Sequence, residues 1–408
     1  MESPAQAQKA WPFRYEMIDG LRGLAALAVV MHHLLIAPLG HYAVMLFFVI
    51  SGYCIAAAAE AGRRSGMGFG TFMWRRLRRI YPPYFFALVF YTLTRLVKVA
   101  SGRYEDLARP WLDWVQNLTL TQWVTLPFHP VADAPQNPKL LVAAFWSLNY
   151  EDQFYLVMAG ALLLALRWRM PMPIVVCALA VVGLAWNCAA PGGWITGFFL
   201  EYWVHFSMGA LLFYVLCLFP GRAIRAVFLA VVILLGAYAA WRVFPWRPEV
   251  ELKLRAYVEF VVICGFTLFL YWARPLSAAI SRSWIWRPVA ALGAISYSLY
   301  LIHQFNLTLV SEVATWMAPH AWESVRLGVM LVLQILLASV FWYFCERPFL
   351  NRAPKTNTVS QAAHWIPTAS THRDSSSTEA NIASAESPIR AARMSLNPAV
   401  SNSRRSEG

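Results

Sequence analysis

The sequence predicts an all-α, polytopic membrane helical bundle of about ten transmembrane helices. Both termini are expected in the cytoplasm. Three observations predict this. Of 408 residues, 59% are hydrophobic and 13% charged, about half the roughly 25% charge of a soluble chain. Apolar runs of about 17–25 residues recur, each long enough to cross a bilayer as a helix. Arginine and lysine concentrate in alternate loops, the bias expected of cytoplasmic loops.

The expected spans are 18–38, 41–59, 81–100, 146–166, 174–190, 198–219, 226–244, 257–273, 294–312 and 325–345. The first carries Asp19, Arg22, His32 and His33 and lacks a small-residue cleavage site, so it is expected to stay as a helix rather than leave as a signal peptide. Only a few residues join it to the second span, which predicts a tight hairpin. Arg63, Arg64, Arg75, Arg76, Arg78 and Arg79 then precede the third span. The longest external segment, 101–145, holds Trp111, Trp114 and Trp123 with Pro127, Pro130, Pro135 and Pro138. Its tryptophans suit an interfacial layer, as a covering loop or as a substrate-lining one. The later arginine-rich loops hold Arg167 and Arg169, then Arg222 and Arg225, then Arg274, Arg282 and Arg287, and finally Arg347, Arg352 and Lys355. The opposite loops hold fewer: Arg103, Arg109, Lys139, Arg242, Arg247, Lys253 and Arg255, offset by Glu105, Asp106, Glu249 and Glu251.

Residues 1–17 are read as a cytoplasmic segment and 18–352 as the membrane domain. After Pro354 the chain turns to Ser, Ala, Asn and Arg, so 353–408 is read as a disordered cytoplasmic tail that buries too little to order itself. The formal charge of +13 would suggest nucleic acid in a soluble chain; here loop arginines account for it, and no nucleic-acid partner is expected. Cys54, Cys177, Cys188, Cys217, Cys264 and Cys345 all lie in apolar segments, so no disulfide or zinc framework is visible and no metal is expected. Asn117 and Asn306 open glycosylation sequons, the second inside an expected span.

Ionisable groups at membrane depth are costly and mark functional interiors. Arg22 and His33 lie eleven residues apart, about three turns on one helix face and roughly 16 Å along the axis. His33 sits about 7 Å below the external end of its span, and Glu151 about 7 Å below Trp146. At matched depth they could form a base and its orienting carboxylate. Glu151 could instead pair with a buried arginine. His32 points about 100° from His33 and is expected to pack elsewhere. Asp19, at i−3 from Arg22, either anchors the helix end with it or leaves Arg22 to contact an anion or thioester oxygen.

The stretch Trp74-Arg-Arg-Leu-Arg-Arg-Ile-Tyr-Pro-Pro-Tyr84 is the densest positive feature. Its arginines are topology signals, anionic-lipid ligands, or a phosphate grip for a pyrophosphate-bearing cofactor. In the last reading Arg76 and Arg79 share a helix face, with Arg75 and Tyr81 beside them. Ser51 and Gly52 in Phe47-Phe-Val-Ile-Ser-Gly-Tyr53 either let two helices approach closely or leave room for a thin acyl-carrying arm. Ser296, Tyr300 and His303 fall on one helix face, and His303 is either a satisfied core histidine or a ligand contact. Glu201 and His205, at i and i+4, either contact an acceptor or satisfy each other. Tyr155 joins these as a candidate substrate contact.

Taken together these motifs resemble the membrane acyltransferase-3 family. The carriers are Asp19-Gly-Leu-Arg-Gly-Leu-Ala with Arg22 and His33, Phe47-Phe-Val-Ile-Ser-Gly-Tyr, Arg-Arg-Ile-Tyr-Pro at 78–82, Trp146-Ser-Leu-x-x-Glu-x-x-Phe-Tyr, Ser296-Tyr-Ser-Leu-Tyr-Leu-Ile-His and Glu346-Arg-Pro-Phe-Leu. The likeness runs over roughly 15–352. It implies a multi-pass enzyme of the bacterial inner membrane, moving an acyl group, commonly acetyl, from cytoplasmic acyl-CoA to an extracytoplasmic hydroxyl. Acceptors in the family include O-antigen, exopolysaccharide, peptidoglycan, Nod factors and macrolides. The family's essential His and Arg map onto His33 and Arg22, its Arg-x-x-Arg pair onto Arg76 and Arg79, and its acid onto Glu151. Acetyl-CoA is then a co-substrate, with no tightly bound cofactor. The bilayer and a carbohydrate or lipid-linked glycan are the partners, and homo-oligomerisation is left open. Some members carry a fused serine-hydrolase-like domain; none is expected here, which implies a one-domain reaction or a separate partner. His33 would act as general base or as a covalent acyl carrier. The alternative is a secondary transporter with an intramembrane His/Glu/Arg proton relay. A non-catalytic scaffold is the third class.

Overall fold

In the computed structural model every regular element among the described residues is helical. Those residues are 15–35, 39–102, 110–124, 140–189, 197–243 and 251–350, the side chains of 251–256 excepted. The expected tail, most of the N-terminal segment, and the prolines and charges of 103–109, 125–139 and 244–250 lie outside them.

The hairpin at the start is α1 (Ile18–Leu35) and α2 (Leu39–Arg64). Next come α3 (Phe69–Ala100), the short α4 (Trp111–Thr119) and α5 (Trp146–Trp168). Then follow α6 (Met172–Ala189), α7 (Leu200–Phe213, extended by a π-turn), α8 (Arg222–Val243) and α9 (Glu251–Ala273). The chain closes with α10 (Ser277–Arg282), α11 (Trp286–Ala294), α12 (Ser296–Ile302), α13 (Leu307–Met317) and α14 (Glu323–Phe341).

Among the described residues seven helices are long and apolar enough to cross a membrane. Three expected spans differ from these seven for physical reasons. The first two turns of α5 hold Asn149, Glu151, Asp152 and Gln153, which lower its hydropathy. The apolar run of α6, Met172–Cys188, is short. The expected span 294–312 is not one helix: it breaks at His303–Asn306 between α12 and α13. A broken helix at membrane depth needs partners for its backbone groups. Gln334 of α14 supplies them, donating to the His303 carbonyl at 3.0 Å and to Asn306 Oδ1 at 2.9 Å. At the other end of α12, Glu346 accepts hydrogen bonds from the Ser298 amide and hydroxyl at 3.2 and 2.5 Å. That satisfies an N-terminal amide the helix itself cannot.

The expected third span begins earlier than 81. α3 is continuous from Phe69 through Pro82 and Pro83, so the arginine stretch is helical. The prolines remove two backbone donors, and the Tyr297 hydroxyl donates across to the Ile80 carbonyl at 3.0 Å. α4 packs beneath Tyr84, whose hydroxyl donates to the Asn117 carbonyl at 2.5 Å. Asn117 and Asn306 are both buried, so neither sequon presents its side chain to a glycan.

The centre of the bundle is α2, which packs on α1, α5, α7 and α9. Its span window is 67% buried, and that of α7 is 72%, against 11% for peripheral α8. Apolar residues hold such an interface by dispersion and close approach rather than by the hydrophobic effect. Gly52 and Gly209 make that approach: a Cβ on Gly52 would overlap the Phe206 carbonyl, and one on Gly209 the Val49 carbonyl. α1 meets α11 in the same way, through Gly20, Gly23 and Gly293. Gly209→Ala must therefore push the two central helices apart. We expect a loss of about 1–3 kcal/mol or more, read as a lower thermal-unfolding midpoint in detergent. Gly160→Ala, whose Cβ meets nothing within 4 Å, should leave the midpoint unchanged. Equal midpoints for the two variants would contradict the close crossing.

Candidate active site

Five helices surround one cavity of about 160 Å³. Each presents a stripe set by helical spacing. α1 gives Asp19 and Arg22, and α2 gives Phe47, Phe48, Ser51, Cys54 and Ile55. α3 gives Arg76, Arg79 and Ile80. From α5 come Ser147, Leu148, Glu151 and Tyr155, and from α12 Ser296, Tyr297 and Tyr300.

Three arginines thus face two carboxylates, Asp19 and Glu151, in a confined space. Among the described residues no carboxylate lies in ion-pair contact with Arg22, Arg76 or Arg79. Arg76 is held instead by aromatic faces, 5.4 Å from the Phe72 centroid and 5.7 Å from that of Tyr155. Such stacking fixes a guanidinium without neutralising it. Burying cations is costly, and here Asp19 and Glu151 offset the charge through space rather than by direct contact. Arg75 and Arg78, on the opposite face of α3, are exposed, and neither lines the cavity. Tyr81 does not line it either: its hydroxyl donates to the Thr119 carbonyl at 3.1 Å and to Asp152 at 3.4 Å.

Glu151 accepts from the Tyr155 hydroxyl at 2.6 Å and from Ser51 at 3.4 Å. The expected pairing of Glu151 with His33 is not present. Equal depth along two helices says nothing of the azimuth of either side chain, and Glu151 turns into the positive field of Arg22 and Arg76. The alternative, an ion pair of Glu151 with a buried arginine, is not present either: its hydrogen-bond partners are Tyr155 and Ser51. Asp19 and Arg22 likewise share the cavity without a direct ion pair. Gly52 faces α7 at close approach, the first reading of that dipeptide, while Ser51 lines the cavity. Among the described residues, none from 101–145 lines the cavity.

His33 does not line the cavity; it stands one layer beyond its Tyr300 end. The Tyr300 hydroxyl donates to the Ala144 carbonyl and accepts from Ser147 at 2.6 Å. The Tyr300 ring lies 5.8 Å from that of His303, and His303 lies 5.0 Å from half-buried His33. Ser296 and Tyr300 thus line the cavity, and the His303 ring lies between those of Tyr300 and His33. His32 packs its ring on Gly40 but also meets the His33 ring edge-on at 4.8 Å, so the roughly 100° between them on the helix does not separate the two rings.

A second polar cluster lies apart from the cavity. The His41 ring is 2.5 Å from Glu259, and His205 is 3.6 Å from the other oxygen of the same carboxylate. Glu201 accepts from the Tyr150 hydroxyl, so Glu201 and His205 have separate partners. The Trp146 ring stacks on that of His41 at 5.8 Å, and the Tyr202 ring lies 5.3 Å from that of His205.

Sequence reasoning missed Cys54, Ser147 and Tyr297 as cavity residues, and His41 and Glu259 altogether. An i+3 step from Ser51 and an i−4 step from Glu151 would have found the first two. Nothing local marks the last two, which meet only in the fold.

An integral bundle with this arginine-lined cavity defines a class, and the family of the acyltransferase domain matches residues 15–345. The chain belongs to that family. Its relatives include the peptidoglycan O-acetyltransferase OatA of Listeria monocytogenes, 25% identical over 81% of this chain and 55% of that protein. They also include the exopolysaccharide production protein ExoZ of Rhizobium meliloti, 27% identical over 79% of this chain and 92% of that protein. The chain thus spans about half the length of the first and nearly all of the second. No solved structure matches it significantly.

Proposed function

We propose that this protein transfers an acyl group, acetyl in the first instance, from acyl-CoA to a hydroxyl of a carbohydrate or lipid-linked glycan. The observation that carries the reading is the set of three inward arginines with no carboxylate in contact. Arg76 and Arg79 take the phosphates of the donor at the cytoplasmic face, where guanidinium forks suit bidentate binding. Arg22 contacts the donor deeper in. Ser51 and Cys54 flank the space for the pantetheine arm, and the thioester reaches the Tyr300 end. Asp19, Glu151 and Tyr155 set the charge and direction of the arginines. Both termini are placed in the cytoplasm of a bacterial inner membrane, with about ten crossings that count the broken and short helices. Glu201, His205 and the aromatic wall beside them belong to the acceptor side.

His33 acts as general base. It takes the proton of the acceptor hydroxyl as the oxygen attacks the thioester carbon. The C–S bond then breaks, and the imidazolium returns that proton to the leaving thiolate. The products are the O-acyl acceptor and CoA thiol. Two relatives named for O-acetylation of peptidoglycan or for exopolysaccharide production support the acceptor class.

One observation favours a second reading. The break between α12 and α13 places His303 at a helix interruption, a feature of transporters. Among the described residues no matching break stands in the first half. Membrane vesicles from expressing cells, given [14C]acetyl-CoA, separate the readings. Acyl transfer releases CoA thiol and labels glycan in step. Uptake without thiol release would make the protein a transporter.

A further inference from the structure

His303 is buried completely, with 0% of its surface exposed. Its Nδ1 lies 2.7 Å from the Tyr300 carbonyl. A carbonyl only accepts, so Nδ1 carries the proton, and in a neutral ring Nε2 then bears a lone pair. That Nε2 is buried with no hydrogen-bond partner among the described residues. A buried acceptor without a donor costs roughly 1–3 kcal/mol, and it persists where it serves another purpose. Three features fix the ring: its bond to Tyr300, the tie of Gln334 to its own carbonyl, and the turn that ends α12. The neighbouring titratable ring is His33, 5.0 Å away at an interplanar angle of 44°. The side chain of His33 has no hydrogen bond of its own among the described residues.

We propose that His303 is the positioning residue for His33. Its Nε2 lone pair accepts the ring N–H of His33 when substrates are bound, which leaves the other His33 nitrogen unprotonated toward the acceptor hydroxyl. When His33 takes the acceptor proton, both of its nitrogens carry hydrogen. His303 then holds one of them and steadies the imidazolium. A neutral imidazole thus does the work usually given to a carboxylate, and it leaves Glu151 to the arginines. No proton passes to His303. The inference rests on the acyl-transfer reading and on His33 as its base.

Two substitutions separate positioning from packing. In His303→Asn the side-chain amide can replace Nδ1–H toward the Tyr300 carbonyl but leaves no acceptor at the Nε2 position. In His303→Gln the amide oxygen reaches the Nε2 position. Label transfer from [14C]acetyl-CoA to glycan is measured in vesicles, per mole of protein that elutes as a folded species in detergent. His303→Asn is expected to lower kcat on the order of 10–100-fold, as loss of a ligand-orienting partner does, with the KM for acetyl-CoA unchanged. His303→Gln should stay within several-fold of the parent. Full kcat in His303→Asn, or equal losses in both variants, overturns the proposal. Should His303→Asn fail to accumulate, the unmodified protein still decides: 15N spectra of histidine-labelled protein should show His303 as the Nδ1–H tautomer. An Nε2–H tautomer overturns the assignment. No transfer by the parent, or full transfer by His33→Ala, would instead remove the reading on which the proposal rests.

Discussion

His33→Ala is expected to abolish transfer and to leave the protein folded. A positioned general base contributes on the order of 10²–10⁴ in rate, so the variant should fall at least a hundredfold, to the background of the assay. The structure explains why folding survives. His33 is half-buried near the end of α1, and among the described residues its ring pairs with those of His32 and His303. Truncation there opens no central cavity and strands no ion pair. Elution profile and unfolding midpoint should match the parent, while thiol release and glycan labelling disappear together. Near-normal labelling by His33→Ala in intact cells would take away the role given to it.

The second large effect lies at the other end of the cavity. Arg76→Ala and Arg79→Ala should each raise the KM for acetyl-CoA, with kcat changed far less. A hydrogen bond to a charged group contributes about 1.5–3 kcal/mol, which at 1.4 kcal/mol per decade is roughly 10–100-fold per arginine. Arg76→Lys should rescue poorly, because an ammonium neither forks onto phosphate nor stacks on the Phe72 and Tyr155 rings. Arg75→Ala is the internal control. It sits in the same run of positive charge but on the exposed face of α3. If the run served only topology or lipid binding, Arg75 and Arg76 would behave alike. An equal KM in all three alanine variants would contradict the phosphate grip.

The helical bundle was legible because hydropathy acts locally. The 3.6-residue period also placed Arg76 with Arg79, and Ser296 with Tyr300 and His303, on common faces. Helix pairing was less legible. Gly52 could be flagged as a close-approach site, but its partner Gly209 lies 157 positions away by number (209 − 52). The break falls on the polar residues His303, Gln304 and Asn306, but the apolar runs on both sides mask it, and the stabilising Gln334 comes from another helix. The pairing of His33 with Glu151 failed on azimuth, which depth does not encode. The bridge from His41 through Glu259 to His205 joins three helices, so no spacing rule reaches it.

The central claim is that donor and acceptor meet from opposite sides of one membrane. Sealed vesicles of defined orientation, loaded with glycan acceptor from the expressing cells, test it directly when [14C]acetyl-CoA is confined to one face. Donor on the Arg76 and Arg79 face should label glycan, and donor on the opposite face alone should give none. Equal labelling from both faces, or labelling only from the His33 face, would contradict the account.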